Sequence, residues 1–188
     1  LNSGRFGRLL DPSGGLRDLR MRTIRVVYAS SFTDDPTRAF RAIRFERSLG
    51  FRIEAKTLRL LKDVVAAGLV DKLPGHRVKN ELFLLLAEQE PVRTVRRLAA
   101  FDLLRPIHPD LTLTSRIETL LARLTKALAW WNRQFTDHTL DRPLVCFMAL
   151  LEELSGPTTN ALMKRLVLPE RQAEKVRTAK RRLGPICR

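Results

Sequence analysis

Residues 31–45 combine the side chains in this sequence that are best suited to chemistry. Two adjacent carboxylates, Asp34 and Asp35, precede a proline, and arginines follow at a spacing of three residues. Because proline is tolerated at the first position of a helix and an Asp side chain can cap its free N–H groups, Asp35 and Pro36 predict a helix start. Each step of three residues falls about 60° short of a full turn. One broad cationic face is therefore predicted, formed by Arg38, Arg41 and Arg44.

This arginine face indicates an anionic ligand. Like charges at these spacings destabilise a helix unless an anion lies between them. Every basic residue before Lys56 is also Arg, whose planar guanidinium makes bidentate contacts with phosphates and bases. Phe40 and Ile43 point away from the face and are expected to be buried. The alternative interpretation is an ordinary capped helix with a solvated charged face.

The whole chain is strongly basic, and the charge is concentrated towards its ends. It has 188 residues, of which 44% are hydrophobic, and a net charge of +15. The length allows one or two small domains with a real core, and the charge predicts a polyanionic partner. Residues 1–52 hold eleven Arg against five acidic residues, and residues 164–188 hold nine basic residues against two. Two contact zones are therefore expected on either side of a nearly neutral middle.

Several other classes of protein are not indicated. No apolar run reaches the ~18–20 residues of a membrane span, and no signal peptide pattern is present. His76, His108 and His138 match no metal-ligand spacing, and the sequence has no P-loop, G-x-S-x-G or H-E-x-x-H motif. Cys146 and Cys187 form neither a metal nor a disulfide framework. These observations predict a cytoplasmic protein with reduced thiols, no metal site of its own and no membrane partner.

The hydrophobic periodicity predicts a mainly α fold with a short α/β segment at the start. Strands are expected at 5–11 and 23–27, the second as the trailing edge of a sheet whose other strands lie upstream. From residue 35 the pattern is helical, with Gly50 and Gly68 as stop signals. Arg77 and Glu81, four residues apart, predict an ion pair on a helix surface. Helices are predicted at 35–49, 54–67, 77–88, from 91 onward, and at 116–135, 143–154, 158–167 and 169–183.

Several motifs in register resemble a known enzyme family. They are Gly15-x-x-Asp18 with Ile24-Arg25, the block from Phe32 to Phe45, Leu49-Gly50-Phe51-x-Ile53, and Arg77-Val78-x-x-Glu81-Leu82. Together they resemble the class II tRNA nucleotidyltransferases, which include CCA-adding and A-adding enzymes and bacterial poly(A) polymerases. The likeness extends over residues 1–115 and is looser in the tail. It implies the end of a head domain (1–29), a nucleotide-reading neck (30–73), a helical body (74–155) and a basic helical tail (156–188).

The resemblance implies that the neck reads the incoming nucleotide. The family's acidic residue, Asp and Arg map onto Asp34, Asp35 and Arg38, with Asp34 in place of the usual Glu. Cytosine and adenine present an amino donor beside a ring-nitrogen acceptor, which a carboxylate and a guanidinium complement, whereas guanine and uracil present the opposite order. By the same resemblance, Arg41 and Arg44 would grip the triphosphate or the base. Capping and base reading are competing uses of Asp35, and its two oxygens could serve both.

The resemblance also implies where the remaining functions lie. A pair of aspartates that hold Mg²⁺ would precede Leu1, so this chain, which does not begin with Met, is expected to be part of a longer protein and inactive by itself. Asp18 and Arg25 would form the joint between head and neck, or simply a local ion pair. Trp130 and Trp131 could stack on bases, although core packing is the simpler expectation. Predicted RNA contacts in the tail are Lys164, Arg165, Lys175, Lys180, Arg181 and Arg182.

The function implied is addition of the 3′-terminal CCA, or of its terminal A, to tRNA from CTP and ATP. The chain would supply base selection and tRNA binding, with no catalytic residue of its own. The alternatives are part of a bacterial poly(A) polymerase and a non-catalytic helical RNA-binding module.

Overall fold

The computed structural model describes residues 10–135 and 140–183, and this part of the chain is predominantly α-helical. The mainly α prediction is confirmed. Within these ranges no helix is both long enough and apolar enough to cross a membrane. The ten α-helices of the described residues are α1 (Gly15–Arg20), α2 (Ser31–Asp34), α3 (Thr37–Leu49), α4 (Ala55–Ala66), α5 (Gly75–Leu86), α6 (Pro91–Ala100), α7 (Ser115–Gln134), α8 (Arg142–Leu150), α9 (Gly156–Arg165) and α10 (Glu170–Leu183).

The short sheet differs from the prediction. Strands β1 (Thr23–Ile24) and β2 (Arg52–Ile53) pair in parallel, with Thr23 opposite Arg52. The expected strand over 23–27 is thus only two residues long, because the Val26 N–H donates to the Thr57 hydroxyl (3.1 Å) rather than to a neighbouring strand. Its partner in the described chain lies downstream, not upstream. Most of the strand predicted at 5–11 lies outside the described residues.

Helix α3 follows its sequence signals closely. Asp35 is extended (φ −143°, ψ 93°), Pro36 precedes the first helical residue, and the helix ends at Gly50, whose positive φ of 63° favours glycine. Phe40 and Ile43 are fully buried, as predicted. The preceding one-turn helix α2 was not predicted. It places Ser31 beneath the start of α3, where the Ser31 side chain is available to Arg38.

One hydrophobic core extends through the described residues. A single cluster of buried residues extends from Phe32 in α2 to Val176 in α10. Helix α3 packs on α5 and α6, and the Arg97 guanidinium of α6 makes a bidentate pair with Glu46 of α3 (2.6 and 2.7 Å). The division into neck, body and tail remains a prediction, because the buried cluster crosses the boundaries drawn at residues 73 and 155.

The tail is joined to the rest of the fold through close backbone contacts. A Cβ added to Gly75, at the start of α5, would overlap the carbonyl oxygen of Arg165, at the end of α9. The Arg165 guanidinium donates to the carbonyl of Ile107. Gly75 therefore lets the two backbones meet where no side chain fits.

Candidate nucleotide-reading site

Asp35 lies immediately before α3, and its two carboxylate oxygens have different surroundings. Oδ1 accepts hydrogen bonds from the Thr37 N–H (3.2 Å), the Thr37 hydroxyl (2.6 Å) and Arg77 Nη2 (3.0 Å). Oδ2 accepts from Arg77 Nη2 (3.1 Å) and lies 4.0 Å from Arg38 Nε. Oδ1 is fully occupied, whereas Oδ2 retains capacity for another donor. Of the two uses expected of this carboxylate, capping falls on Oδ1, and base reading remains a prediction.

The Asp35 carboxylate is held in its ionised form. Partial burial raises the pKa of Asp35, but the hydrogen bonds from Thr37 and the charge of the Arg77 guanidinium outweigh that effect. The pKa therefore lies below its ordinary value. With 21% of the side chain exposed, the carboxylate remains reachable from solvent.

Arg77 is a site residue that the sequence did not reveal. It was expected to pair with Glu81 on the surface of its own helix, and that prediction is wrong. Arg77 instead pairs with Asp35, 42 residues earlier in the chain. Glu81 lies 3.5 Å from Arg44 Nε. Local spacing gave no signal for either contact, because both depend on the packing of α5 against α3.

Arg38 is fixed through one of its terminal nitrogens. Nη1 donates to the Tyr28 hydroxyl (2.9 Å) and to the hydroxyl and carbonyl of Ser31 (2.8 and 3.2 Å). Nη2 has no hydrogen-bond partner within the described ranges. The free N–H groups of Arg38 and the open Oδ2 of Asp35 therefore form a donor and an acceptor side by side.

The three arginines of α3 do not share one face in the way predicted. Arg38 and Arg41 line an open cleft, while Arg44 faces Glu81 and stacks on the Phe45 ring (4.8 Å). Two steps of three residues rotate the position by about 120°, which is enough to carry the third arginine off the face. Arg41 is exposed and has no partner in the described part of the chain. Asp34 is also exposed, and it accepts from the Ser30 hydroxyl (3.1 Å).

The cleft that Arg38 and Arg41 line has a volume of about 430 Å³, and Asp35 is not among the residues that line it. That volume lies within the range of small-ligand sites. The lining combines charged and aromatic side chains with apolar ones. The first group is Arg25, Tyr28, Arg38 and Arg41, and the second includes Ile24, Val26, Phe32, Ala42 and Phe45.

The proposed head–neck joint is a closed local contact in this structure. Arg25 pairs with Asp18 (2.8 Å) and donates to the Ser13 carbonyl (2.7 Å). Asp11 accepts from the N–H groups of Gly15 and Leu16 (2.7 and 2.9 Å) at the start of α1. The local ion pair is therefore present, and a role as a joint remains a prediction.

The predicted RNA contacts of the tail divide into two groups. Lys164, Lys175 and Arg182 are exposed and have no side-chain partner among the described residues. The others are engaged by the protein itself. Arg165 donates to Ile107, Lys180 to the carbonyls of Leu151 and Glu152 (2.6 Å each), and Arg181 to Glu174 (3.2 Å).

Residues 10–135 and 140–183 contain no candidate metal site. No group of three His, Cys, Asp or Glu side chains there is placed to hold a metal ion. His138 and Cys187 lie outside the described residues. Cys146 is fully buried, and burial raises the pKa of its thiol to about 11.

Comparison with known proteins identifies the class. Residues 50–114 match the family described as the probable RNA and SrmB-binding site of polymerase A. The A-adding tRNA nucleotidyltransferase of Geobacter sulfurreducens is 42% identical over 176 residues, which are 94% of this chain and 20% of that protein. This chain therefore spans about a fifth of the length of that curated relative.

Solved structures agree with this assignment. A tRNA nucleotidyltransferase complexed with a primer tRNA and an incoming ATP analogue superposes with a TM-score of 0.86 at 29% identity, over 98% of this chain and 54% of that one. The Thermotoga maritima CCA-adding enzyme complexed with tRNA gives a TM-score of 0.80 at 32% identity, over 94% of this chain and 42% of the other. Over nearly its whole length, this chain is therefore similar to a part of tRNA nucleotidyltransferases. More particularly, the chain belongs to the family of tRNA nucleotidyltransferases and poly(A) polymerases, of whose members it matches a part.

Proposed function

We propose that this chain selects the incoming nucleotide and holds the tRNA in an enzyme that adds the 3′-terminal CCA, or its terminal A, from CTP and ATP. The observation that carries the proposal is the couplet of Asp35 and Arg38 at the start of α3. Asp35 Oδ2 accepts one hydrogen bond, from Arg77, and retains capacity for another donor, while Arg38 Nη2 has no hydrogen-bond partner in the described residues. The relatives' names, which are A-adding and CCA-adding, support the same reaction.

The couplet discriminates between bases by the order of donors and acceptors. The exocyclic amino group of cytosine or adenine donates to Asp35 Oδ2, and the adjacent ring nitrogen accepts from Arg38. Guanine and uracil would turn a carbonyl towards the carboxylate and an N–H towards the guanidinium. Each group would then face a like partner without a hydrogen bond, which is a strong basis for rejection.

Rigid support makes this reading selective. Thr37 and Arg77 hold Asp35, while Tyr28 and Ser31 hold Arg38. A base that does not fit cannot be accommodated by a small rotation of either side chain. Arg41, at the rim of the cleft, is placed to contact the triphosphate, and Arg44 contributes indirectly by fixing α5 through Glu81.

The reaction is attack of the RNA 3′-hydroxyl on the α-phosphorus, with pyrophosphate leaving. Mg²⁺, when bound, would stabilise the attacking and leaving oxygens. The described residues offer no fitting set of ligands, so we assign the metal to a part of the enzyme other than these residues. Lys164, Lys175 and Arg182 would contact the tRNA backbone, which requires charge and little sequence reading.

The test replaces Asp35 in the enzyme that contains this chain. Asp35→Ala should lower the preference for ATP and CTP over GTP and UTP by roughly 100-fold in kcat/KM, and should change tRNA affinity less than twofold. Asp63→Ala, which removes an exposed carboxylate from α4, is the matched control. Equal nucleotide preference in Asp35→Ala and parent would refute the proposed reading site.

A poly(A) polymerase is the second candidate, because the family that matches residues 50–114 is named for polymerase A. The two are separated by product length. Incubation with tRNAs ending before, within and just short of CCA should give additions that stop at the terminal A. Products that extend beyond it would favour the polymerase.

A further inference from the structure

Helix α7 carries a basic surface, although the middle of the sequence is nearly neutral in net charge. Arg116, Arg123 and Trp130 follow one another at intervals of seven residues, and Lys126 and Arg133 lie on the adjoining line. Positions seven apart lie almost above one another on a helix. All five side chains are exposed, and they form one stripe, which we call the α7 stripe.

Three of the four cations in this stripe are not paired within the described residues. Arg123, Lys126 and Arg133 make no ion pair or hydrogen bond within residues 10–135 and 140–183. Glu118, the only acidic residue of α7, lies off the stripe and forms a bidentate pair with Arg96 (2.9 Å for each bond). Arg116 lies 3.4 Å from Glu152, at an open groove of about 420 Å³ that Arg123 also lines. The stripe therefore presents free cations beside a concave surface.

The length and composition of the stripe fit a nucleic acid strand. From Arg116 to Arg133 it is about 26 Å long, at ~1.5 Å per residue. Regularly spaced cations suit a phosphodiester backbone, and an exposed aromatic suits base stacking. Trp130 is 51% exposed and meets Phe135 in an edge-to-face arrangement (77°, 6.1 Å). The stripe also lies outside residues 50–114, the part matched to an RNA-binding family.

We propose that the α7 stripe is a binding surface for the backbone of the RNA substrate, with Trp130 stacking on a base at one end. The proposal rests on the proposed function, because it takes the RNA to be the tRNA that the enzyme extends. It adds a contact in the body of the molecule, between the reading site and the tail. An acidic protein partner would satisfy the cations but would have no need of an exposed indole at the end of the line.

The first test is the salt dependence of tRNA binding by the 188-residue chain. Arg123→Gln/Lys126→Gln should make the plot of log K against log salt shallower by about 1.5, and should weaken binding roughly tenfold at 0.2 M salt. Arg105→Gln/Arg177→Gln is the control of equal charge change, because Arg105 already pairs with Asp71 and Asp102 and Arg177 with Glu170 and Glu174. The control should change affinity by less than threefold.

The second test uses the fluorescence of Trp130. The chain has two tryptophans, so Trp131→Phe leaves Trp130 as the single reporter and keeps a ring against Phe135. Addition of tRNA should quench this emission, and Trp130→Ala should weaken binding about tenfold. Emission that does not change when tRNA binds would overturn the stacking contact.

The outcomes distinguish this surface from the proposed function. Parent and Arg123→Gln/Lys126→Gln proteins should have the same melting temperature, because the replaced side chains have no partners in the described structure. A parent that binds tRNA, together with a variant whose salt slope is unchanged, overturns the α7 stripe as an RNA surface. A parent that does not bind tRNA at all counts against the proposed function itself.

Discussion

The neck helix α3 and the tail use basic side chains in opposite ways. In α3 the Arg38 guanidinium, which we propose reads the base, is immobilised by Tyr28 and Ser31 at 2.8–3.2 Å. In the tail, cations such as Lys180 are held by the fold, whereas the cations that we propose contact RNA have no partner in the described chain. Reading a base requires donors at fixed positions, whereas gripping a phosphate backbone tolerates mobile side chains. The proposed base-reading site and the proposed RNA-backbone site therefore differ in the rigidity of their basic side chains.

The largest effect is expected from removing the free cations of the tail. Lys164→Gln/Lys175→Gln/Arg182→Gln should weaken tRNA binding roughly 30-fold at 0.2 M salt and make the salt slope shallower by about 2, because up to three phosphate contacts are lost. Nucleotide preference in the complete enzyme should not change. Anisotropy titrations with labelled tRNA at several salt concentrations measure the slope. An unchanged salt slope in the triple variant would contradict the proposal that these three side chains of the tail contact the tRNA backbone.

A smaller effect is expected from loosening Arg38. Tyr28→Phe removes one hydrogen bond to the guanidinium but keeps the ring beside it, so the fold should be unaffected. Preference for ATP and CTP over GTP and UTP should fall about fivefold, the equivalent of one hydrogen bond. The ratio of kcat/KM values for the four nucleotides gives the answer. If the ratio stays at the parental value while tRNA affinity falls, Tyr28 belongs to the RNA surface and not to the reading site.

The smallest effect concerns the protonation of Asp35. Since its folded pKa lies below the ordinary value of 3.8, the unfolded chain binds protons at a higher pH than the folded one. The stability that this contributes is fully present above the unfolded pKa and is lost as pH falls towards the folded pKa. Between pH 5 and pH 3 the free energy of unfolding should therefore fall less steeply in Asp35→Asn than in the parent. The slopes of the two curves against pH should differ by the equivalent of about one bound proton at most. Urea titrations across this range compare the two slopes, and identical slopes would show that Thr37 and Arg77 do not stabilise the carboxylate.

Local signals in the sequence determined much of this fold. The end of α3 before Gly50 and its buried Phe40 and Ile43 were predicted correctly, and its start at Thr37 lies two residues after the predicted bound. The other long helices begin and end within a few residues of their predicted bounds, since periodicity and punctuation by Gly and Pro act over short distances. Helix α8 is the largest departure, because it ends at Leu150 rather than at residue 154.

Contacts between distant segments could not be predicted in the same way. Arg77 reaches Asp35 across 42 residues, and β1 pairs with β2 across 29. Both contacts depend on how helices pack, which no local pattern encodes. The resemblance to a family pointed to Asp35 and Arg38, but only the geometry separates the occupied oxygen of Asp35 from the open one. Similarly, counting charge by segments concealed the α7 stripe, because acidic side chains elsewhere in the middle of the chain balance it numerically.

The contact at Gly75 has a mechanical consequence. Two residues beyond this glycine, Arg77 holds the Asp35 carboxylate, and on the other side of the contact lies the end of α9. The proposed reading site and the tail are therefore linked by main-chain atoms in direct contact, without an intervening flexible hinge. A tail grafted from a relative would be compatible with this neck only if its backbone followed the same path past position 75.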